Sequence, residues 1–139
     1  MRAKPVRLTV TGIAYNRNEE DEAMRLTTFG TLSGNPKQWK LRYTERQADS
    51  QEKHDITMTM GEGVVTMARK GAFGSDLVFQ QGHRYEGSYR TPYGDLAMGI
   101  YPTEVDYKVS DDGVGEVNLR YQLDIQGRYT SVHKLDIAF

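Results

Sequence analysis

A chain of 139 residues, 37% hydrophobic and 27% charged, has the composition of one ordinary globular domain, and folding at this size buries roughly two-thirds of the unfolded chain's surface without staples. Its 18 basic and 19 acidic residues leave a net charge of −1, and cysteine is absent. That excludes an electrostatic footprint for nucleic acid, disulfides, thiolate nucleophiles and cysteine-ligated metal centres, while the lack of any run near the roughly 20 apolar residues of a membrane helix argues against a membrane partner.

The opening segment MRAKPVRLTVTGIAY alternates polar and apolar residues, with Val6, Leu8 and Val10 on one face, and reads as a first strand rather than a signal peptide. The expected location is the cytoplasm of a bacterium-like cell. NRNEEDE, at residues 16–22, reads as a charged, solvated hairpin tip. Met24, Leu26 and Leu32 share the next apolar parity, Trp39, Leu41, Tyr43 and Glu45 the third, and Ile56, Met58 and Met60 the fourth. Between the last two, ERQADSQEKHD is a loop or a single turn of helix. Beyond a Gly61-Glu62-Gly63 turn, Val65, Met67 and Arg69 lie on one face, and GAFGS connects to a short strand around Leu77 and Phe79.

The stretch GHRYEGSYRTPYGDLAMGI, residues 82–100, is rich in glycine and tyrosine and could pass for a ligand loop. Parity gives a simpler account. His83, Tyr85, Gly87, Tyr89 and Thr91 share one face of a strand, Thr91-Pro92-Tyr93-Gly94 has the residue placement of a tight turn, and Leu96, Met98 and Ile100 begin a new strand. Ala97 and Gly99, opposite them, mark a close approach or a bend. Val105, Tyr107 and Val109, an Asp111-Asp112-Gly113 turn, and the faces of residues 117–125 and 129–139 around a Gln126-Gly127 turn complete about ten strands. No apolar repeat at helical spacing lasts beyond about two turns, so the predicted fold is an antiparallel sandwich or closed barrel in one domain, residues 1–139.

Several of these segments together resemble the DUF1934 family of small bacterial proteins: RLTVTGI in the first strand, GTL at residues 30–32, RKGA at 69–72, G-x-R-x-x-G-x-Y-x-T-P-Y-G at 82–94 and YQLDI at 121–125. The resemblance covers nearly the whole chain and implies an all-β fold, a single calycin-like antiparallel barrel of about ten strands, similar in shape to lipocalins. The family's function is unknown, so the resemblance implies no catalytic or binding residues.

A barrel of this size is either filled or able to hold one small ligand, which makes polar residues on the apolar parity informative. Arg69, Glu45 and His133 are such residues. A buried arginine must be paired or meet an anion, and its planar fork suits a carboxylate or phosphate held with help from Arg84, Tyr85, Tyr89 or Tyr121. The alternative, an internal Arg69–Glu45 ion pair or an exposed strand end, is the simpler account. Tyrosine stacking on a base lacks the basic groove it would need.

No metal is expected, since His54, His83 and His133 lie on separate strands without ligand spacing, and no cofactor motif occurs. Ser131 and His133 share a face without an identifiable orienting acid. Three functions stay open: non-catalytic binding of a small, partly apolar, anionic molecule inside the barrel; a filled scaffold for protein partners, a second copy in a homodimer included, through loops or an open edge strand; and, last, an enzyme acting through Glu45, His133 or Arg69.

Overall fold

Side-chain alternation along the chain becomes ten antiparallel strands: β1 (Lys4–Asn16), β2 (Glu22–Asn35), β3 (Gln38–Arg46), β4 (Lys53–Gly61), β5 (Val64–Lys70), β6 (Gly74–Gln80), β7 (Tyr85–Thr91), β8 (Gly94–Val109), β9 (Gly115–Ile125) and β10 (Arg128–Ala138). The structure, a computed structural model, describes residues 3–16, 22–46 and 52–139. Residues 17–21 of the predicted charged tip and 47–51 of the ERQADSQEKHD segment lie outside them, and the flanking residues continue β1–β4.

Each strand pairs with its sequence neighbour, and β1 also pairs with β10 from Thr9↔Ala138 to Asn16↔Ser131, closing the sheet into a barrel. The expected open edge strand is thereby corrected, because the first and last strands occupy each other's free edges. The sparsest seam is β6 against β7, with only Gly74↔Arg90 and Ser75↔Tyr89 in register. Beyond it, the wall is continued by bonds from Gly82 N–H to the Pro102 carbonyl and from His83 N–H to the Gln80 carbonyl.

Local chemistry sets the turns. Glu62 and Gly63, both at positive φ (53° and 78°), make the two-residue connection of β4 to β5, a geometry that glycine adopts at little steric cost. Thr91 ties the β7–β8 turn by donating from Oγ1 to the Gly94 carbonyl and accepting from Tyr93 N–H. The two stretches at residues 96–100 and 105–109 are one long strand. Its register shifts between Pro102 and Glu104, a bulge that moves the inward parity from even residues (Met98, Ile100) to odd ones (Val105, Tyr107).

The interior divides along the barrel axis. Around the starts of β1, β3, β5 and β9 and the ends of β2, β4, β6 and β10, fully buried Leu8, Leu32, Leu41, Met58, Met60, Phe79, Leu119 and Ile137 fill the lumen, with Trp39 beside them. At the other end the lumen is hollow. The expected cost of truncation follows this division. Leu41→Ala, in the filled half, should lower unfolding free energy by about 2–5 kcal/mol, and Leu123→Ala, on the hollow wall, by less than about half as much, read from chemical denaturation midpoints.

Candidate functional site

A cavity of about 300 Å³ occupies the hollow half. Strands put side chains there by parity. β3 places Tyr43 and Glu45, β5 Met67 and Arg69, β6 Ser75 and Leu77, β7 Tyr89, β9 Tyr121 and Leu123, and β10 His133 and Leu135. β1 contributes Gly12 and Ala14, small residues that leave the lumen room. The walls are mainly apolar, with Met24, Met67 and Met98 as adaptable surfaces.

Arg69 Nη2 lies 3.1 Å from Glu45 Oε2, and both side chains are largely withdrawn from solvent, at 33% and 16% exposure. No hydrogen-bond partner of the Arg69 guanidinium occurs otherwise among the described residues. The Tyr43 and Tyr121 hydroxyls lie within electrostatic reach of Arg69. Burial raises the pKa of both phenols; Tyr43 is raised further by Glu45 and opposed by Arg69, and Tyr121 is pushed up to about 12. Both are therefore neutral donors at neutral pH. Neither hydroxyl, nor that of Ser75, has a hydrogen-bond partner among the described residues, although Tyr43 and Ser75 are each only 7% exposed. Among the described residues, no side-chain nitrogen or oxygen fully cut off from the accessible surface lacks a partner, so these hydroxyls open onto the cavity they line.

His133 stacks on Tyr121 with ring centroids 5.2 Å apart and planes within 8°. Its Nε2 is 2.6 Å from Ser131 Oγ, which leaves Nδ1 without a partner among the described residues. Beside the cavity, Phe73 stacks on Tyr89 at 6.0 Å and donates its N–H to His54 Nε2, pinning the β5–β6 turn over the strand ends.

The structure thus brings together Arg69, Glu45, Tyr89, Tyr121 and His133 and leaves out two of the sequence candidates. Arg84 is on the outer face, where Nη1 and Nη2 hold both carboxylate oxygens of Asp124 at 2.8 and 3.1 Å and Nε reaches Glu86 at 3.2 Å. This explains Gly99, whose added Cβ would meet Arg84 Nη2 at 2.1 Å: the small residue makes room for a guanidinium. Tyr85 packs against the core without lining the cavity. Sequence reading passed over Tyr43 and Ser75. Tyr43 was legible, standing between Leu41 and Glu45 on the inward parity, and Ser75 shares the parity of Leu77 and Phe79 but falls in the GAFGS segment that reads as a connection. Among the described residues no group of three or more His, Asp or Glu side chains is arranged to hold a metal ion, and no helix is long and apolar enough to cross a membrane.

A closed ten-strand antiparallel barrel with a mouth-side internal cavity defines the calycin-like class. The chain belongs to the DUF1934 family, a domain of unknown function, whose match spans residues 8–137. Its fold is similar to the crystal structure of the ywiB protein from Bacillus subtilis, with a TM-score of 0.85 and 20% identity over 99% of this chain and 92% of that one. No curated protein matches the sequence.

Burial alone lowers the His133 pKa, since the fold disfavours a cation there. A depressed folded-state pKa means that the unfolded chain binds the proton first as pH falls. Stability is then full above about 6.5, the unfolded value, and declines on acidification until the folded pKa is passed. His133→Gln should flatten this part of the stability-versus-pH curve in urea titrations; an unchanged slope would place the titration on another group.

Proposed function

We propose that the barrel binds a small, partly apolar, anionic molecule in its cavity without transforming it. The observation that supports this is the imbalance of donors over acceptors. Arg69, Tyr43, Tyr121 and Ser75 offer N–H and O–H groups to one volume, and its acidic group, Glu45, already lies against Arg69. These donors open onto the cavity without a protein acceptor among the described residues, so an acceptor-rich head group can accept from them while methionine and leucine walls receive an apolar tail. At about 300 Å³ the cavity is at the small end of the range for ligand sites, which suits a short-chain carboxylate.

Isothermal titration with octanoate, hydrocinnamate and octanol tests the reading. The carboxylates should bind more tightly than the alcohol. Arg69→Met combined with Glu45→Gln, which avoids stranding a buried carboxylate, should weaken octanoate by roughly 10–100-fold, and Tyr43→Phe or Tyr121→Phe by about 2–10-fold each. Absence of carboxylate binding, or equal binding by octanol, would overturn it.

A further inference from the structure

We propose that the cavity takes up a proton together with a small monocarboxylate, and that His133 is the group that receives it; this rests on reading the cavity as an anion site. Charge balance governs a volume only partly open to water, where the Arg69 and Glu45 side chains are 33% and 16% exposed. In the empty barrel Arg69 and Glu45 cancel. An entering carboxylate must share Arg69 with Glu45, adding a net negative charge where an uncompensated charge is costly.

Among the described residues, the ionisable groups that line the cavity with His133 are few. Tyr121 comes from β9, Tyr43 and Glu45 from β3, Arg69 from β5 and Tyr89 from β7. Lys134, next along β10, holds its ammonium 5.4 Å over the ring of Tyr15 on β1. Of all these, His133 is the side chain that is neutral in the empty cavity and can become a cation near neutral pH. Its hydrogen bonding suits both states. Ser131 Oγ can donate to the neutral ring or accept from the protonated one, while Nδ1, free of partners among the described residues, supplies the second donor once charged. The burial that keeps the imidazole neutral is the one resolved cause acting on it, so a carboxylate brought beside it shifts it toward the charged form.

The test is titration of the full chain with octanoate from about pH 8 to about pH 6, in buffers of different protonation enthalpy. Octanoate affinity should rise by up to about tenfold per pH unit on acidification, with buffer-dependent heat corresponding to uptake of close to one proton. His133→Gln should still bind octanoate, with a flat profile and no proton uptake. Two results overturn the proposal while leaving the anion site intact: pH-independent octanoate binding by the natural chain, or a His133→Gln variant that keeps the slope, which would put the proton on Glu45 or on the octanoate itself. Failure of the natural chain to bind octanoate at either pH overturns the anion-site reading and this proposal with it.

Discussion

Closure of ten strands through the β1–β10 ladder is the constraint on which the rest of the structure depends. A barrel's diameter grows with its strand number, and about eight strands already give a lumen that side chains only just fill. Ten strands need large residues at every inward position to be solid. Phe79, Trp39, Met58, Met60 and a ring of leucines supply them in one half. In the other half the inward positions include Gly12, Ala14 and Ser75, and the volume stays open. The cavity is thus a consequence of topology combined with the choice of small and polar residues at one end.

Charge is handled differently on the two faces of the wall. Outside, arginines make cross-strand pairs in water: Arg84 with Asp124, Arg90 with Asp76, and Arg120 with Asp136 and Glu104. Such exposed pairs contribute little each, but cross-strand ones favour the register in which they form. Inside, Arg69 meets a single carboxylate and two neutral phenols. The bidentate grip of Arg84 on Asp124 has no counterpart there, and most of the Arg69 fork is left for something else.

Parity along the sequence made the strands, most turns and the inward placement of Arg69, Glu45 and His133 legible, because an alternation of period two is a local property of the chain. It failed where the outcome depends on partners brought from elsewhere. Arg84 stands beside Tyr85 in sequence, yet it faces Asp124 across two strands, and that choice is invisible without the β8–β9 register. The bulge between Pro102 and Glu104 looked like a break between strands because parity changes there, and only continuous pairing with β9 shows one strand. His54 was readable as inward, two residues before Ile56, but not as the acceptor that anchors the turn at Phe73. The hollow itself was not legible: volume is a sum over all ten strands, and no segment carries it.

From sequence, an internal Arg69–Glu45 pair and a ligand site at Arg69 stood as competing accounts; the pair is present, and the anion site we propose is compatible with it. A lone guanidinium in a cavity walled by methionine and leucine would be an uncompensated charge whenever the cavity held no anion, and the fold would bear that cost throughout its life. Glu45 removes it. Its closest approach is to Nη2, and neither the Arg69 guanidinium nor the neighbouring phenols have another hydrogen-bond partner among the described residues. In the reading we propose, the pair is what permits an arginine to remain inside an empty barrel, and the hydroxyls of Tyr43 and Tyr121, without partners among the described residues, mark the side of it from which an acceptor would approach.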